Sequence, residues 1–224
     1  MTRRRVLGFG AALGLAAAGA TEAAAVTGRR RPDGTGRQLA SAVPLPAPYT
    51  VPLPLPPVLA QAGVAVGADR YEITQRRVTA EILPGVPTTL WTYNGTYPGP
   101  TIESRRGRPV TVLHRNELPV PTAVHLHGGR TPAGSDGYPT DLVLPDGWTG
   151  PEGAHATHDP RAVTSRVTRA YTYPLDQRAT LLWYHDHRMD YTAPAIWRGL
   201  TGMHLVRDDV EDALDIPAAT ANWR

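Results

Sequence analysis

Val124-His125-Leu126-His127-Gly128-Gly129 and Leu182-Trp183-Tyr184-His185-Asp186-His187 carry four of the eight histidines of this 224-residue chain, in two His-x-His pairs. On a β-strand, residues i and i+2 point to one face, roughly 6.5–7 Å apart along the chain, so each pair offers two imidazoles in the same direction. That is a ligand arrangement for a metal ion, and two pairs at the ends of strand-like segments make a stronger case than one. The spacing leaves open whether a pair shares one ion or serves two. By the same alternation Trp183 falls on the face of His185 and packs beside it, whereas Tyr184 and Asp186 face the other way. The default for His114, His155, His158 and His204 is a surface or hydrogen-bonded histidine.

Outward from these motifs the chain keeps a β rhythm. Tyr71 and Ile73 alternate with polar neighbours from Asp69 onward, followed by Val78, Ala80 and Ile82 and a Pro84-Gly85-Val86-Pro87 turn. Residues 88–93 end at Asn94-Gly95, Pro98-Gly99-Pro100 marks another turn, and Val110 and Val112 alternate along a strand closed by 116–119. Segments 123–127, 166–173, 179–187 and 199–207 complete a set of short strands. Helix signals are confined to 191–197 and 209–214. Short strands at this spacing predict an all-β fold, a Greek-key sandwich or barrel of one domain. The 23 Pro and 22 Gly suit a turn-rich β domain.

The first residues read differently. Met1-Thr2-Arg3-Arg4-Arg5 leads into an apolar run over 6–20, with small residues at Ala23-Ala24-Ala25 behind it, the form of a signal peptide over 1–25. Its Thr-Arg-Arg start resembles the twin-arginine type, which implies an extracytoplasmic location, and the run is too short for a membrane span. Residues 26–68 contain Arg29-Arg30-Arg31 and a run of prolines from Pro44 to Pro57, and read as an extended linker laid on a surface or as a tail. The domain proper is expected over 69–208, with an interdomain linker beginning at 209–224. The net charge of +3 owes much to the early arginines, so charge names no nucleic-acid partner. The absence of cysteine excludes disulfides, thiolate chemistry and iron–sulfur ligation within this chain.

Together, the two histidine motifs, the segment Tyr93-Asn94-Gly95-Thr96-Tyr97-Pro98-Gly99-Pro100-Thr101-Ile102-Glu103 and the closing Gly199-Leu200-Thr201-Gly202-Met203-His204-Leu205-Val206 resemble the N-terminal cupredoxin domain of multicopper oxidases. The resemblance covers about 71–208, and Ser135-Asp136-Gly137 leans toward the branch of spore-coat laccases, bilirubin oxidases and phenoxazinone synthase-like enzymes. It implies a cupredoxin-like sandwich and a trinuclear copper cluster that reduces dioxygen to water, held by eight histidines from four motifs. By that resemblance His125 binds the type 2 copper, and His127, His185 and His187 the type 3 pair. Asp136 matches an acidic position near the dioxygen channel that manages protons; the alternative is a turn-stabilising aspartate.

The family pattern also breaks. A type 1 copper needs a Cys thiolate and two His, and this chain has no Cys and no third or fourth histidine motif. Half of the cluster ligands are present, so the resemblance implies a copper-binding domain that is inactive alone. Three accounts fit: a truncated or fragmentary oxidase, a free-standing extracytoplasmic copper-binding or storage module, and assembly with C-terminal cupredoxin domains supplied in trans. The reducing substrate, whether phenol, aromatic amine or metal ion, is not legible. Two other His-x-His chemistries fit less well. Cupins add a Glu soon after the pair, whereas none follows His127 before Glu152; metallohydrolases of the His-x-His-x-Asp-His kind fail at Arg188-Met189-Asp190.

Overall fold

In the computed structural model of the chain, residues 43–65, 67–150 and 159–215 are described. The expected signal peptide, the first part of the expected linker (26–42), His155 and His158 lie outside them. The chain divides after Leu45, and its strands and helices among the described residues belong to the second unit, Pro46–Arg224.

The strands are β1 (Gly63–Ala65), β2 (Ala68–Leu83), β3 (Val86–Tyr93), β4 (Gly99–Arg105), β5 (Val110–Asn116), β6 (Val124–His127), β7 (Val143–Leu144), β8 (Ser165–Arg166), β9 (Thr168–Tyr173), β10 (Thr180–Asp186) and β11 (Thr201–Arg207). A 3-10 turn spans Ala133–Ser135, and two short helices, α1 (Thr192–Trp197) and α2 (Asp209–Asp212), flank β11. The all-β expectation holds, and both helices fall where the sequence placed its helix signals. No helix among the described residues is long and apolar enough to cross a membrane.

Alternation builds the two main sheets. In the first, Tyr71, Ile73 and Gln75 point inward along the first half of β2, which pairs in parallel with β5, and β9 closes the far side of β5. The second half of β2 turns at Pro84-Gly85 into an antiparallel hairpin with β3. The second sheet runs β4-β11-β10-β6, with β4 and β11 parallel and the other pairs antiparallel. Between the sheets lies one core, with Tyr71, Ile73, Val112 and Tyr171 from the first and Ile102, Leu126, Leu182, Tyr184 and Val206 from the second. Each such side chain contributes about 1.5–3 kcal/mol when fully withdrawn from water, which fixes the inward face of every strand and hence the outward one.

Several elements were not foreseen. β4 carries Pro100, Ile102 and Ser104 in its inward phase, so Ile102 is its one strand-favouring apolar side chain there; the Ser104 hydroxyl meets His204 Nε2 at 2.8 Å. Val167, with a φ of 63°, separates β8 from β9 in the stretch expected as one strand. Pro57–Leu59 lie along the free edge of β4, where Thr101 N donates to Pro57 O and Leu59 N to Thr101 O, both at 2.8 Å. Proline there gives the sheet an edge that cannot recruit another strand. With β1 pairing to β2 as well, paired structure begins ahead of Asp69.

His114 departs from the surface reading. It shares the inward phase of Val110 and Val112, is 1% exposed, and has Tyr93, Tyr171 and Tyr184 around its ring at centroid distances of 5.9, 5.6 and 6.2 Å. Its Nδ1 has no hydrogen-bond partner. Burial pulls the ring down to about 3. At pH above its ordinary value the imidazole is neutral in folded and unfolded chain alike. As pH falls from 6.5 toward 3, the unfolded chain takes up a proton that the folded chain refuses. Stability is therefore lost on acidification, by up to about 1.4 kcal/mol per pH unit from this group. His114→Phe keeps the aromatic packing and removes the group, so urea midpoints between pH 7 and 4 should fall less steeply for the variant; equal slopes would contradict the assignment.

Candidate metal centre

The two His-x-His segments are brought together by one antiparallel ladder. β6 pairs with β10 in the register Trp183↔His127, Tyr184↔Leu126, His185↔His125 and Asp186↔Val124. Val124, Leu126, Leu182 and Tyr184 fill the core, so His125, His127, Trp183 and His185 share the opposite face. His187 lies one residue beyond β10, and its main-chain N donates to Ala123 O at 2.6 Å, carrying the ladder one step further.

All four expected histidines converge. Ring centroids are separated by 5.5 Å for His125–His127, 5.6 Å for His125–His185, 5.6 Å for His127–His185, 5.1 Å for His125–His187 and 5.4 Å for His185–His187. One nitrogen from each of His125, His127 and His185 lies within 4.8 Å of the others. Exposure is graded: His185 is buried, His125 and His187 are half-buried, and His127 is exposed. Trp183 packs as expected, stacked on His185 at 4.0 Å and on His127 at 5.1 Å.

Main-chain carbonyls fix two of the rings. His125 Nδ1 lies 2.5 Å from Asp136 O, and His185 Nδ1 lies 2.9 Å from Asp186 O. Only a protonated Nδ1 donates to a carbonyl, so in its neutral form each ring keeps an unprotonated Nε2, the form that binds a metal. Burial, with the neighbouring rings adding to it, pulls His185 down to about 4, so its imidazole is neutral at ordinary pH. His187 Nδ1 is buried without a hydrogen-bond partner, which suits a ligand atom. A set of converging imidazoles of this kind fits copper.

Asp136 is drawn to the same place by its backbone. It caps the 3-10 turn; its carbonyl meets His125, its Oδ1 lies 3.7 Å from His125 Nδ1, and Thr131 Oγ1 donates to that Oδ1 at 3.1 Å. The carboxylate thus takes a turn-stabilising bond and also borders the histidines. It lines a cavity of about 500 Å³ with Thr131, Tyr138 and Asp141.

Two features were missed. Asp186 turns its carboxylate into the protein, where Oδ1 accepts from Ala123 N at 2.8 Å and Arg188 N at 3.2 Å, joining the end of β10 to the start of β6. Burial pushes that carboxyl up to about 6, against the pull of those two donors. A carboxylate in the core phase of a strand was the available signal. Gly137 was the other: its φ is +71°, and a Cβ there would lie 1.7 Å from Val124 O, so the loop can run against β6 only without a side chain. Gly137→Ala is expected to lower stability by several times the cost of Gly85→Ala, a positive-φ position with open space, which costs about 1 kcal/mol. Urea denaturation of both variants checks this, and equal costs would contradict it.

Comparison with known proteins bears on the same segment. A sequence model of the family described as multicopper oxidase matches residues 74–211. The laccase of Bacillus stratosphericus is 37% identical over 189 residues, covering 74% of this chain and 34% of that protein. Bilirubin oxidase of Albifimbria verrucaria is 33% identical over 177 residues, covering 76% of this chain and 27% of that protein. Among solved structures, the laccase from Pediococcus acidilactici superposes with a TM-score of 0.63 at 30% identity, over 78% of this chain and 34% of that one. The chain thus spans about a third of the length of these relatives. With a two-sheet β-sandwich, four clustered imidazoles and these matches, the chain belongs to the multicopper oxidase family, has its cupredoxin-like fold, and shares the family's association with copper.

Proposed function

We propose that the chain is the N-terminal copper-binding domain of a multicopper oxidase, supplying through His125, His127, His185 and His187 half of a trinuclear copper site that reduces dioxygen to water. The observation that carries this reading is the β6–β10 register, which sets His185 across from His125 on one face and gathers three ligand nitrogens within 4.8 Å. By the family resemblance His125 serves the type 2 copper, and His127, His185 and His187 serve the type 3 pair. Bound copper supplies the electron transfer to dioxygen. The chain's own residues hold the ions: the carbonyls of Asp136 and Asp186 select the ring tautomers, and Trp183 covers one face of His185 and of His127. Asp136, partly open to solvent beside His125, is the group suited to hand protons inward.

The other four ligands and the Cys-bound type 1 copper belong to C-terminal cupredoxin domains, in cis or in trans. The reductant of the whole protein is a phenol, an aromatic amine or a metal ion, in keeping with relatives named laccase and bilirubin oxidase. The protein acts outside the cytoplasm after export by the twin-arginine route, and this chain alone turns over no substrate.

Copper(II) titration of the isolated chain followed by absorption and a phenol-oxidation assay tests this. The expected result is bound copper without intense blue absorption or oxidase activity, with binding lost in His125→Ala/His185→Ala. Intense blue colour or phenol oxidation would sink the claim that type 1 copper lies elsewhere, and absence of copper binding would sink the whole reading. An immunoblot of the source culture against residues 71–208 separates the two architectures. A product more than twice the size of this chain supports the multidomain oxidase, and one of this size supports a free-standing copper-binding module.

A further inference from the structure

His125 is held by a main-chain atom, Asp136 O, and that carbonyl belongs to a loop, residues 128–141, whose only regular element is one 3-10 turn. The loop is tied from the opposite sheet. Arg169 of β9 shares the inward phase of Tyr171 and Tyr173 and is 9% exposed, with its guanidinium 5.2 Å from the Tyr171 ring. Its Nη2 donates to Asp141 Oδ2 at 2.9 Å and to Gly134 O at 3.1 Å, and its Nη1 donates to Val163 O at 3.2 Å. The second oxygen of Asp141 accepts from Val163 N at 2.9 Å, and Ser135 Oγ accepts from Thr172 N at 3.0 Å. Gly134, two residues before Asp136, and Asp141, five residues after it, are therefore anchored to one buried cation, and Ser135 between them is held by the main chain of the same strand.

A buried ion pair is a poor route to stability, because desolvation cancels most of the attraction and apolar residues of similar size do as well. What it does supply is direction: the planar fork of Arg reads several acceptors at once, which Lys does not. We propose that the Arg169–Asp141 pair is a positioning device for the metal centre. It fixes the loop so that Asp136 O holds His125 in the Nδ1–H tautomer and leaves Nε2 for copper. The metal half of this inference rests on the function proposed above. His185 takes its carbonyl from Asp186 on its own strand, so its tautomer is independent of Arg169 and serves as an internal control.

The test uses the full chain, ¹⁵N-labelled and free of metal, with imidazole ring nitrogens read by long-range correlation NMR. In the wild type, His125 and His185 are each expected as a single Nδ1–H tautomer. Arg169→Met/Asp141→Leu removes both charges together and leaves no lone ion in the core. In that variant His185 should be unchanged, His125 should become a mixture containing the Nε2–H form, and copper(II) affinity should fall about 10- to 100-fold. If the double variant does not fold, Arg169→Lys is read in the same way. A folded variant in which His125 keeps its single tautomer overturns the proposal. A wild-type chain that binds no copper, but whose His125 tautomer still answers to the Arg169 pair, overturns the metal reading and supports the positioning role.

Discussion

The pairing of β6 with β10 is the constraint on which the rest of the centre depends. A shift of one residue in that ladder would send one histidine pair into the core and bring Leu126 or Tyr184 to the outer face. The core prevents the shift: Val124, Leu126, Leu182 and Tyr184 are all at or below 2% exposure, and Tyr184 Oη donates to Pro100 O at 2.5 Å, tying β10 to β4 across β11. Asp186 pins the end of the ladder by accepting from Ala123 N. Hydrophobic burial on one face therefore decides where four polar rings stand on the other.

Around that ladder the surroundings of each ring differ, and the differences have a common direction. Main-chain carbonyls hold Nδ1 of His125 and of His185, and burial keeps His185 neutral. Fixing tautomers by neutral main-chain oxygens leaves the site without a fixed charge on those contacts, which would suit the copper-binding role proposed for these rings. The loop bearing Asp136 approaches β6 so closely that Gly137 has no room for a side chain, and it is joined to β9 by Arg169. Both sheets of the sandwich thus contribute to one face of one of them.

Much of this was legible from alternation. That His125 shares a face with His127, that Trp183 shares one with His185, and that Tyr184 and Asp186 face the other way follow from strand parity alone; that the two pairs share one face comes from the pairing of β6 with β10. The same parity put His114 in phase with Val110 and Val112, and Arg169 in phase with Tyr171 and Tyr173, but a polar side chain is ordinarily expected to seek water, so the tyrosine-lined burial of His114 was not anticipated. β4 was missed because its inward phase sets Ile102 between a proline that signals a turn, Pro100, and a serine, Ser104. The contact between Asp136 O and His125 has no local signature, because it depends on the path of a loop that returns from β6 and is anchored by a strand more than thirty residues downstream. Sequence neighbours report faces; they do not report which loop closes over them.

The most direct measurement of the central claim is anomalous diffraction at the copper edge from crystals of the copper-loaded chain. The account predicts an anomalous peak within coordination distance of ring nitrogens from both strand segments, His125 or His127 together with His185 or His187. Copper bound elsewhere, such as at His155 and His158, with the four rings on β6 and β10 left unmetallated, would contradict it.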